Sequence, residues 1–76
     1  MRLDKYLKKI GVIKRRAVAQ QMIKGGRVKV NGASVRPSYE IKESDEIEVF
    51  FGNRYLRIKV VRGGYEILDD EYVKRE

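Results

Sequence analysis

Three consecutive cations, Lys14, Arg15 and Arg16, head the stretch KRRAVAQQMIKGG, whose apolar residues recur with helical spacing. A helix start carries partial positive charge, and a cation placed there costs about 0.3–1 kcal/mol. Such a triplet therefore implies an external anion. Side-chain charge and the free N–H groups of a first helical turn converge on one place, an arrangement suited to phosphate. The sequence has no histidine and no cysteine. The usual general base, most zinc sites, a Ser–His or Cys–His nucleophile pair and any disulfide are thereby removed. Asp4, Asp45 and the pair Asp69 and Asp70 stand apart, without a constellation for acid–base or metal work. The expectation is a binding protein with no catalytic residue, no metal and no cofactor.

The distribution of charge points the same way. The chain of 76 residues has a formal net charge of +7. Residues 1–36 hold eleven Lys or Arg against the single acid Asp4, a net +10, whereas residues 37–76 hold seven against ten acids, a net −3. A one-sided basic field concentrates polyanions and speeds encounter with nucleic acid. An anionic membrane would be drawn by the same field, but the broad apolar helix face of an interfacial segment is missing. Residues 1–10, MRLDKYLKKI, lack the apolar core of a signal peptide. A cytoplasmic protein is expected, with no membrane partner and no small-molecule substrate.

These cations have to be positioned by a small number of elements, because a chain of this length makes one domain with a small core. Residues 2–9 read as a first helix, with Leu3, Leu7 and Ile10 on one stripe and Arg2, Lys5 and Lys9 on another. Asp4 falls in its first turn, where a carboxylate offsets the dipole and is also placed to orient an arginine. Tyr6 either packs in the core or stacks on a base. A second helix spans about residues 14–24, its seam made by Val18, Ala19, Met22 and Ile23, and Gly25 and Gly26 end it. The period then changes to two. Val28 and Val30 alternate with Arg27 and Lys29, Asn31-Gly32 forms a hairpin turn, and Ala33 to Val35 return before Pro37. Strands follow over about 46–51, 54–61 and 65–68, with Glu46 and Glu48 placed to pair with Arg57 and Lys59. The end, residues 69–76, reads as a frayed charged tail.

The run Arg2-Leu3-Asp4-Lys5-Tyr6-Leu7, then Ile13-Lys14-Arg15-Arg16-Ala17 with Ala19, then Gly26-Arg27-Val28 and Val30-Asn31-Gly32, resembles the S4 RNA-binding domain family, named after a small-subunit ribosomal protein. The resemblance covers about residues 1–51, including Asp45 before a strand. It implies an α+β fold of two packed N-terminal helices against a small, mostly antiparallel sheet, with further strands over 54–68. It also implies binding of structured rRNA and tRNA on the large ribosomal subunit, in handling of stalled nascent chains. Carried over by position, the implied RNA-binding residues are Arg2 and Lys5, then Lys14, Arg15 and Arg16, with Arg27 and Lys29 extending the surface. Asp4 matches the motif acid as an orienting residue. Where relatives often place Ser and Arg between the helices, this chain has Ile10-Gly11.

The leading expectation is thus a non-catalytic, monomeric RNA-binding module that recognises folded RNA by shape and phosphate position. On this reading, converting Arg15 and Arg16 to Ala weakens RNA binding at constant thermal stability. A DNA-binding regulator is the alternative from a different class, since two short helices around a glycine superficially resemble helix-turn-helix; few Asn, Gln or Ser accompany the cations for base readout. A ribosome-assembly factor is a further alternative. An RNA-modifying enzyme would need a catalytic domain beside this one.

Overall fold

A computed structural model describes residues 1–72. The elements run α1 (Leu3–Lys9), α2 (Arg16–Lys24), β1 (Val28–Val30), β2 (Ala33–Ser34), β3 (Glu46–Phe50), β4 (Arg54–Val61) and β5 (Gly64–Tyr72). The strands form one antiparallel sheet in the order β2-β1-β3-β4-β5. Leu3, Leu7, Ala19 and Ile23 of the helices meet Val28, Val49, Ile47 and Ile58 of the sheet, all at or near zero exposure. Each strand in this set buries alternate residues, so one sheet face is roofed by the helices. The α+β fold of two packed helices against an antiparallel sheet is the observed one.

The helix ends follow from glycine. After α2, Gly26 takes φ 77°, its N–H reaching the Ile23 carbonyl at 3.1 Å and the Arg27 N–H reaching that of Met22 at 2.9 Å. This is a Schellman closure, which turns the chain directly into β1. Gly25 stays at φ −80°, so Gly26 alone uses the left-handed freedom. The α2 start lies two residues later than residue 14, because Arg15 is extended at φ −123°, ψ 132° and serves as N-cap. Val18, placed in the helix seam by sequence, is 41% exposed. Ala19 and Ile23 make that contact instead, and Val18, one residue before Ala19, is rotated off the buried row.

Asn31 at φ 52° and Gly32 at φ 82° form the β1–β2 turn, which needs two positive-φ residues in succession. Asn31 is fixed further: its Nδ2 donates to Asp45 Oδ1 and its Oδ1 accepts the Glu46 N–H, each at 3.0 Å. The frayed tail needs correction. Residues 69–72 belong to β5, paired along β4, and residues 73–76 lie outside the described residues. Asp69 and Asp70 are held by cross-strand arginines. Arg54 donates from Nε and Nη2 to the two oxygens of Asp70, both at 2.8 Å, and Arg57 Nε donates to Asp69 at 2.8 Å. Arg54 also lies 5.2 Å from the Tyr72 ring centre, within cation–π range. Charge that reads as fraying in one dimension is thus neutralised across the ladder.

Candidate nucleic-acid interface

The interface is organised by Asp4. Its side chain has no exposure, and five hydrogen bonds converge on its two oxygens. Oδ1 accepts from the Lys5 N–H at 2.7 Å and from Arg2 Nε at 3.2 Å. Oδ2 accepts from Gln20 Nε2 at 2.9 Å, Arg2 Nη2 at 3.1 Å and Arg16 Nε at 3.3 Å. A buried carboxylate needs such compensation. Burial raises its pKa, and the bonds from Gln20, the Lys5 N–H, Arg16 and Arg2 outweigh that effect and hold it at about 2. The two arginine side chains remain 43% and 42% exposed. One carboxylate therefore fixes two guanidinium groups from different helices at the surface, leaving a net positive charge there.

The remaining cations divide by position. Lys5, Lys14 and Arg15 are exposed on α1 and on the link before α2. Arg15 and Arg16 flank a helix start with no acid in its first turn and no side-chain cap, which leaves its orphan N–H groups available. Arg27 is exposed at the α2–β1 corner, its carbonyl accepting the Phe50 N–H at 2.8 Å. Lys29 stands apart from the two arginines bound to Asp4. Its neighbours Val28 and Val30 face the core, so it lies on the sheet face away from the helices, opposite Glu48 in the register. The Ile10-Gly11 corner holds no cation and closes α1, the Gly11 N–H bonding the Lys8 carbonyl at 3.0 Å. Tyr6 is a core residue, 6% exposed, with its hydroxyl donating to the Gly64 carbonyl at 2.8 Å.

Residues 1–47 match the S4 domain. The chain belongs to the S4 domain family. The segment matched contains Asp4, both arginines bound to it, and the hairpin. This S4 chain is 41% identical over 85 residues to the RQC P-site tRNA stabilizing factor of Streptococcus pneumoniae, covering 97% of each. It is 44% identical over 62 residues to the factor of the same name from Listeria innocua, covering 82% of this chain and 67% of that one. Its fold matches the trimeric structure of Vibrio cholerae Heat Shock Protein 15 with a TM-score of 0.78 and 26% identity, over 100% of this chain and 70% of that one.

Sequence reading passed over Gln20 and the cations Lys24 and Arg36. Gln20 completes the Asp4 cage. With Arg16 and Lys24 it forms a row at i, i+4 and i+8 on α2, beside the buried row Ala19 and Ile23. That periodic polar row was the available signal. Arg36 has no such signal, since its place depends on where the connection after β2 folds back. Among the described residues Lys5, Lys14, Arg15, Lys24, Arg27 and Arg36 form no ion pair, whereas Arg54 and Arg57 in the acidic half are paired.

Proposed function

We propose that this S4 protein is a non-catalytic RNA-binding protein that grips folded rRNA and tRNA at the large ribosomal subunit, in the handling of stalled nascent chains. The observation that carries the reading is the Asp4 cage, which presents Arg2 and Arg16 side by side within an otherwise acid-free basic segment. Pre-positioned guanidinium groups meet phosphate bidentately with less side-chain entropy left to lose than a free arginine. Lys5, Lys14 and Arg15 extend the contact along the sugar-phosphate ridge, with Arg27 at its edge. Lys29 would reach the RNA only where it wraps onto the other sheet face. The names of the relatives, P-site tRNA stabilizing factors, support tRNA and ribosome as partners. No helix among the described residues is long and apolar enough to cross a membrane, and a cytoplasmic monomer fits the reading.

The test is sedimentation through a ribosome gradient, with small-subunit, large-subunit and assembled fractions probed separately. Wild type is expected with the large subunit, and Lys14→Ala with Arg15→Ala is expected to remain at the top. These two positions leave Asp4 satisfied. Arg16→Ala does not, so the pair Arg15 and Arg16 cannot be removed at constant stability. Small-subunit association would favour a ribosome-assembly role, and retention of the double variant would remove the cations from the interface. Competition between duplex DNA and rRNA at physiological salt discriminates the DNA-binding alternative.

A further inference from the structure

Beyond the ridge of cations, the structure has an open groove of about 650 Å³ between α2 and the connection after β2. Its volume falls in the ~300–1,000 Å³ range of sites that hold small ligands. Arg2, Lys24 and Arg36 rim it, and Ile23, Val35 and Pro37 supply an apolar lining. Cationic edges around an apolar surface match the two halves of a nucleotide, a phosphate and a base face.

The walls are built before any ligand arrives. The segment carrying Arg36 and Pro37 is tied to the start of α1 by two backbone bonds, Leu3 N–H to the Tyr39 carbonyl at 2.8 Å and Asp4 N–H to the Pro37 carbonyl at 3.2 Å. The Tyr39 N–H closes this turn on the Arg36 carbonyl at 3.0 Å. Across the groove, Gln20 is held through Nε2 by Asp4. Its Oε1 is left to accept from a base edge. Arg2 belongs both to the Asp4 cage and to this rim, so the groove is continuous with the phosphate-gripping surface.

We infer that this groove is a pocket for one unstacked nucleotide of the bound RNA, its base against the half-buried Val35 and Pro37 and its phosphate between Lys24 and Arg36. The inference rests on the RNA-binding reading and deepens it: a chain whose helix face reads only the backbone gains preference for RNA with a nucleotide turned out of the helix.

The experiment is fluorescence anisotropy of the full chain with two hairpins of RNA, one fully paired and one identical except for a single unpaired nucleotide. The unpaired nucleotide is expected to raise affinity about tenfold, the effect of burying on the order of 50–60 Å² of apolar base surface against aliphatic side chains. Lys24→Ala with Arg36→Ala is expected to reduce the ratio between the two hairpins towards one, and Val35→Ala to reduce it in part, with thermal unfolding confirming folded protein. An abasic residue in the unpaired position is expected to lose most of the gain. Lys14→Ala with Arg15→Ala should weaken both hairpins alike and leave the ratio intact. Equal affinity for the two hairpins, or a ratio untouched by the Lys24 and Arg36 changes, would overturn the pocket while leaving the RNA reading standing. An abasic residue that retains the full gain would overturn the base contact. Failure of folded wild type to bind either hairpin would overturn both readings.

Discussion

Asp4 has no exposed surface, yet the two arginines it holds are nearly half in water. Its folded pKa is depressed from 3.8 to about 2. Its stabilising contribution is therefore fully present above about pH 4 and is lost as the pH falls towards 2. Protonation over that window should remove roughly 2 kcal/mol, at about 1.4 kcal/mol per pKa unit. Asp4→Asn should flatten that acid limb in urea titrations at stepped pH, and it should also lower RNA affinity because both guanidinium groups lose their anchor. Retained acid sensitivity in the variant would assign the limb to other carboxylates. Arg2→Lys should be nearly as harmful to binding as Arg2→Ala, since an ammonium cannot reproduce the fork from Nε and Nη2 to the two oxygens.

At the scale of elements, α2 gives up stability at its start. Arg15 is the N-cap, makes no side-chain cap and faces a first turn without an acid. Arg15→Ser should therefore stabilise the protein by about 0.5–1 kcal/mol in chemical denaturation and weaken RNA binding several-fold in the same preparation. Opposite signs in the two measurements are the signature of a position kept for its ligand; a loss of stability would show that Arg15 is structural. The β1–β2 turn predicts the reverse. Asn31→Ala removes the residue at φ 52° and both of its bonds, to Asp45 and to the Glu46 N–H. It should cost roughly 1–3 kcal/mol of stability. Asp45, 8% exposed, keeps only the Tyr39 hydroxyl and the Lys42 N–H.

For the whole molecule, charge divides into a basic segment of net +10 and an acidic remainder of net −3. If about five phosphates are engaged, log affinity should fall with log salt at a slope of roughly −4, and neutralising Lys14 or Arg15 should reduce that slope by about one per phosphate lost. The acidic half includes an edge of the sheet. β5 is nine residues long and lies at the end of the sheet, with Tyr65, Ile67 and Tyr72 40%, 56% and 62% exposed. Such an edge invites pairing with another chain, and charged residues discourage it. Glu66 and Glu71 are exposed on it. Light scattering should give a monomer for wild type and self-association for Glu66→Thr with Glu71→Thr; a wild-type oligomer would mean that the edge is already in use.

The sequence alone determined what neighbouring residues decide between themselves: the helical rows apart from Val18, the alternation of β1, the Asn31-Gly32 turn, the glycine stop after α2 and the segregation of basic charge. These depend on backbone conformation and on spacings of a few residues. The tertiary structure decided what depends on residues far apart in the chain meeting in space. Asp4 gains Arg16 and Gln20 only because α2 packs on α1, and Arg36 lines the same groove as Lys24 only because the connection after β2 is tied back to Leu3 and Asp4. Residues 69–72 continue β5 along β4, with Asp69 and Asp70 neutralised by Arg57 and Arg54 of the neighbouring strand. Lys29, grouped with the other cations by its charge, falls on the other side of the sheet because its valine neighbours fill the core. Charge can be counted along a chain, but a binding surface is set by which buried groups turn which charges to the same side.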